Sequence, residues 1–94
     1  MIVGALKIKL LIEGSGSLKD KRRVLKSIKD RATGMNASVA EVEDNDLWQA
    51  ATLGVAFVSN GAAHVNSMMD KFVQSIHNNM NVEVLDSNME IIHL

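Results

Sequence analysis

The sequence predicts an α+β fold of order β-α-β-β-α-β, and three observations predict it. Apolar and polar residues alternate near both ends of the chain, two intervening stretches carry apolar residues at helical spacing, and a polar turn divides a central pair of alternating runs. In the first run, Ile2, Leu6, Ile8, Leu10 and Ile12 fall on one side, with Lys7, Lys9 and Glu13 on the other. That is a strand over 2–13 with one buried face. Gly14-Ser15-Gly16-Ser17 interrupts it, and Ser17 with Asp20 three positions later is a capping-box-like helix start, Asp replacing the usual Glu or Gln. The helix runs to about Ala32. Leu18, Val24, Leu25, Ile28 and Ala32 gather on one face, Lys19, Arg22, Arg23 and Lys26 on the opposite one, and Gly34 ends it.

Two strands follow, Ala37 to Glu43 and Thr52 to Ser59, joined through Asp44-Asn45-Asp46 and Leu47-Trp48-Gln49 as a hairpin. Asn60-Gly61 opens a second helix, in which Val65, Met68, Met69, Phe72 and Ile76 repeat at helical spacing and Asn78-Asn79 closes. The last strand spans Val82 to His93, with a break expected near Asp86-Ser87-Asn88. This order is the split arrangement of a ferredoxin-like fold, an antiparallel sheet with two helices on one face. No linker, repeat or proline interrupts the chain, so residues 1–94 are expected to form a single domain.

Composition narrows the function classes. Hydrophobic residues make up 47% of the chain but aromatic ones only 3%, so the core must be built from aliphatic residues and six methionines. The absence of cysteine excludes disulfides, thiol nucleophiles and thiolate metal sites, and fits a reducing compartment. The opening run MIVGAL is stopped by Lys7 and Lys9 and is too short to span a bilayer, so a cytoplasmic location and no membrane association are expected. A domain of this size buries a modest share of its surface alone, and self-association, with a dimer favoured, is expected.

Charge is distributed very unevenly. Nine of the ten basic residues lie in the first thirty-one positions, seven of them between Lys19 and Arg31; residues 1–31 carry +6 and the remainder −7, although the whole chain is only −1. A cluster of cations on a nearly neutral domain selects phosphate or another acidic surface. Lys19 and Lys21 moreover sit at a helix start, where the macrodipole favours anions, an arrangement that makes sense if backbone amides and side chains face an anion together. Arg22 and Arg23 are the strongest phosphate candidates because a guanidinium engages two oxygens at once. Lys21 leans toward the apolar side and is expected to extend its stem over the core edge with its ammonium in water.

The runs SLKDKRRVLKSIKDR, preceded by MIVGALKIKL, and SVAEVEDNDLWQAATLGVAFVSN resemble the YlxP-like family of small bacterial proteins of unknown function, most specifically at Ser17 to Val24 and Asp46 to Gly54. The resemblance implies a ferredoxin-like fold, a cytoplasmic bacterial protein and a loose link to translation, since genes of such proteins often lie near those for a ribosome-binding factor and translation initiation. It implies no established activity. Family members commonly carry a basic residue where Ala50 stands and an aromatic near Met35; the basic face here lacks that hairpin cation, and methionine is expected to keep the packing.

The remaining candidates are weaker. Gly14-Ser15-Gly16-Ser17 lacks the spacing of a nucleotide-binding loop and reads better as a turn and cap. A phosphatase of the acylphosphatase type uses a loop and an arginine in this fold class, but no residue here is evidently placed to orient an attacking water. Gly54, Ala56, Phe57 and Val58 echo an RNA-recognition motif, yet Leu53, Val55 and Asn60 replace its basic and stacking residues, so Leu53, Val55 and Phe57 are expected to be core or a subunit contact. Trp48 is expected to clamp the sheet edge, and His64, His77 and His93 are too scattered to hold a metal. The resulting expectation is a non-enzymatic, ribosome-associated or structured-RNA-binding module without cofactor or metal. Lys19, Arg22, Arg23 and Lys26 would contact phosphate, with Lys29 at the margin. The alternative is a homodimeric protein-interaction module that docks an acidic partner surface.

Overall fold

In the computed structural model, residues 1–78 and 81–94 are described. Asn79, expected to help close the second helix, lies outside them. The elements are β1 (Ile2–Ile12), α1 (Leu18–Gly34), β2 (Ser38–Glu43), β3 (Ala50–Ser59), α2 (Ala62–His77) and β4 (Val82–His93). Among the described residues the strands form one antiparallel sheet in the order β2-β3-β1-β4. The fold is therefore the ferredoxin-like α+β arrangement, with β1 and β3 central and β2 and β4 at the edges.

The alternation in β1 determines which way the sheet faces. Leu6, Ile8, Leu10 and Ile12 are buried, opposite Val55, Leu53 and Ala51 of β3, and they join Leu25, Ile28 and Ala32 of α1 and Val65, Met69, Phe72 and Ile76 of α2 in one core. Lys7 and Lys9 lie on the opposite, open face. Leu53, Val55 and Phe57 are core residues, Phe57 meeting Phe72 edge-on at 6.0 Å between ring centroids. Gly4 brings α2 close to the sheet. A Cβ there would overlap Val65 Cγ1 and lie 2.9 Å from Met69 Sδ, so Gly4→Ala should lower stability by about 1–3 kcal/mol in chemical denaturation, through overpacking.

The element ends depart from the sequence expectation in informative ways. Gly34 is the last residue of α1 rather than its terminator; Asn36 adopts the left-handed conformation, at φ 59°, and Ala37 N donates to the Ala32 carbonyl at 2.9 Å. Asparagine tolerates that conformation because its short polar side chain compensates locally. Methionine at 35 does keep the packing, partly buried against the core. β4 runs unbroken, and the irregularity falls just before the expected site: Lys9 pairs with Asp86 and Leu10 with Val84, leaving Leu85 as a bulge.

Candidate nucleic-acid interface

Helix α1 begins as its sequence requires. Ser17 Oγ accepts the Asp20 N–H at 3.1 Å, and Asp20 Oδ2 accepts the Gly16 N–H at 3.3 Å, while Gly14 makes the preceding turn at φ 74°. The helix start is thus already served by its own hydroxyl and carboxylate. Of the two lysines expected to face an anion together with the amides, Lys21 turns inward and Lys19 alone is exposed, and the loop is a turn and cap.

The buried stripe of α1 is Lys21, Leu25, Ile28 and Ala32. Lys21 corrects the expectation of an ammonium in water: the residue is only 1% exposed. Its Nζ lies 2.8 Å from Glu41 Oε2 of β2 and donates to the carbonyl of Asp44 at 2.8 Å, with that of Asn45 at 3.4 Å. The Glu41 contact is an ion pair without the alignment of a hydrogen bond, so charge is what compensates that buried oxygen. Asp44, held at φ 63°, also accepts the Thr52 hydroxyl at 2.7 Å, so the hairpin turn is fastened both to α1 and across to β3. Arg31, at the other end of the helix, donates to the Ser75 carbonyl of α2 at 2.6 Å.

With Lys21 and Arg31 engaged inside the molecule, the outward cations are those expected. Lys19, Arg22, Arg23 and Lys26 are exposed and Lys29 is half-buried. Lys26 pairs with Asp30 at 3.0 Å, an exposed contact one helical turn apart; among the described residues Lys19, Arg22, Arg23 and Lys29 have no ion-pair partner. The five do not form one cluster. Arg22, Lys26 and Lys29 line a shallow groove between α1 and β2, which Glu41 and Asp30 also border, whereas Arg23 faces a second depression with Asp20, Val24, Glu13 and Asn81. Lys19 lines neither.

The open sheet face offers a different chemistry. Lys7 Nζ meets Glu43 Oε1 at 2.7 Å, and that hydrogen bond and the attraction of its charge hold the Lys7 pKa above the ordinary lysine value. Lys9 lies 3.9 Å from Asp44 Oδ2. These lysines belong to a paired cluster on the far side of the sheet and do not extend the α1 surface. Trp48 does not clamp the sheet edge: it is 48% exposed, beside the equally exposed Leu47. Among the described residues no group of three His, Asp or Glu side chains is gathered as a metal ion would need, and no helix is long and apolar enough to cross a membrane.

A family model described as "Protein of unknown function (DUF503)" matches residues 3–89. The chain belongs to this family. A curated relative from Bacillus subtilis (strain 168), the uncharacterized protein YlxP, is 32% identical over 76 residues, which cover 80% of this chain and 83% of the relative. The match to the DUF503 family includes all of α1 and the whole β2–β3 hairpin, and so spans both the cationic helix and the buried Lys21 contact beneath it.

Proposed function

We propose that this chain is a non-enzymatic module that binds the phosphate backbone of RNA, on the ribosome or in another structured RNA, through the outer face of α1. The observation that carries this reading is the division of labour along the helix. Lys21 and Arg31 are engaged with β2, the hairpin turn and α2, while Lys19, Arg22, Arg23 and Lys29 are left without an ion-pair partner among the described residues. Cations placed only to solubilise a helix would be expected to alternate with acids at i, i+4 spacing, as Lys26 and Asp30 do. Lys19, Arg22, Arg23 and Lys26 are the phosphate contacts in this reading, with Lys29 at the groove wall.

Recognition would depend on charge and shape. The open face of β3 carries Thr52, Gly54, Ala56 and Val58, none of which can stack on a base, and Phe57 is in the core. Binding should therefore weaken steeply with salt. The test is co-sedimentation of the full chain with ribosomes and with structured RNA at rising salt. Arg22→Glu together with Arg23→Glu should reduce binding at least tenfold, and Lys7→Glu should not. Unchanged binding by the double variant would overturn the reading.

The second reading is docking to an acidic protein surface, as part of a homodimeric interaction module. Half-exposed Trp48 and Leu47 favour it, because an exposed tryptophan is a strong anchor for a protein partner. Pull-down from lysate with and without nuclease separates the two, since capture of an RNA-bound complex is lost on nuclease treatment and capture of an acidic protein is not.

A further inference from the structure

We infer that β4 is the surface through which two copies of this chain associate, by antiparallel strand pairing centred on Met89. β4 is an edge strand of twelve residues, twice the length of the other edge, β2. Edge strands in monomeric proteins are usually short or guarded by charged side chains, above all lysine, by proline or by bulges; β4 carries Glu83, Asp86 and Glu90 but no lysine or proline. Its bulge lies near its beginning, leaving Asp86 to His93 in continuous register with β1.

The packing beneath it is also unfinished. Met89 sits opposite Leu6 on the core face of the sheet, yet Leu6 is 2% exposed and Met89 44%. Helix α2 packs against β4, where Val82, Val84 and Ile91 join the core, but it leaves Met89 uncovered between them, and what continues an antiparallel sheet and its apolar layer together is another strand with its own layer. The apolar face of β3 is not available for that role, because Leu53, Val55 and Phe57 are consumed in the domain's own core.

Charge selects the occupant and the register. About a two-fold axis through Met89, Asn88 faces Glu90 of the other copy, Ser87 faces Ile91, and Asp86 faces Ile92. No two acids then oppose one another. Centring on Asn88 would set Asp86 against Glu90, and centring on Glu90 would set that carboxylate against itself, both unfavourable as directly opposed like charges. The result is a continuous eight-stranded sheet with both helical layers on one side and the two α1 surfaces at its outer ends. A strand pair buries less than a standard interface of about 1,600 Å², so the dimer should form as concentration rises through the micromolar range.

The experiment is sedimentation velocity on the full chain, free of RNA, across that range. The wild type should pass from monomer to dimer. Met89→Lys, which places two ammonium groups on the axis, should remain monomeric, with thermal unfolding unchanged at concentrations where the wild type is itself monomeric. Because the chain has no cysteine, Met89→Cys should cross-link under mild oxidation while Val58→Cys, exposed on the open sheet face, should not. A wild type that stays monomeric throughout, a dimer that survives Met89→Lys, or preferential cross-linking through Val58→Cys would each overturn the inference. Arg22→Glu should leave the dimer intact, so failure of the phosphate-binding reading and failure of this one are separable.

Discussion

Lys21→Ala is expected to destabilise the protein by about 3–5 kcal/mol, because removing one partner of a buried ion pair strands the other. Glu41 Oε2 would lose the charge 2.8 Å away that compensates it, and the Asp44 carbonyl would lose its donor from α1. Arg22→Ala, one residue on but exposed and without an ion-pair partner among the described residues, should change stability by less than about 0.5 kcal/mol. Urea denaturation of the two variants decides the matter. The contrast separates two roles within one basic run, since Arg22→Ala should weaken polyanion binding in a protein that remains folded. Lys21→Met combined with Glu41→Leu should recover part of the loss, because replacing both members of a buried pair with apolar groups removes the stranded charge. If Lys21→Ala were as stable as the wild type, the ion pair would not be what fastens the hairpin to the helix.

Phe72→Ala should cost about 3–5 kcal/mol, the range for deleting a fully buried phenyl ring. That is a large share of the roughly 5–15 kcal/mol that keeps a domain folded. Phe72 lies on the buried stripe of α2 and meets Phe57 edge-on, so the cavity would open where helix and central strand join. The chain has only two phenylalanines to fill that space, and methionine and aliphatic residues surround them. Phe72→Leu should cost less, since leucine refills part of the volume. Thermal unfolding of both variants checks the order; a Phe72→Ala variant with an unchanged midpoint would show that the neighbouring residues collapse into the void.

The strands and helices were legible because burial on a single face stamps its period on the chain, as in Ile2 to Ile12 and in Val65, Met69, Phe72 and Ile76. What periodicity conceals is an exception to it. Lys21 occupies the stripe position four residues before Leu25, and its charge argued for water, because the partner that neutralises it lies twenty residues on, in β2. The signal available was the run of acids at Glu41, Glu43 and Asp44, read against a lysine at a buried helical position. Asn36 took the left-handed role from Gly34 for a local reason: either residue can adopt it, and the hydrogen bond from Ala37 to Ala32 fixes which one does. Trp48 is half-exposed although a large aromatic beside a turn ordinarily finds a surface to cover; here the turn is fastened to α1 by Lys21 instead.

Arg22 and Arg23, adjacent in sequence, face different depressions on either side of the helix crest. A solitary phosphate can satisfy one or the other. In the proposed reading, a chain of phosphates draped over the crest engages both, and its second contact then forms at the high effective concentration set by the first. Mononucleotides and inorganic phosphate should accordingly be poor competitors at concentrations where an oligonucleotide long enough to straddle the helix displaces bound polymer, and the shortest length that succeeds is a ruler for the distance between the two guanidinium groups.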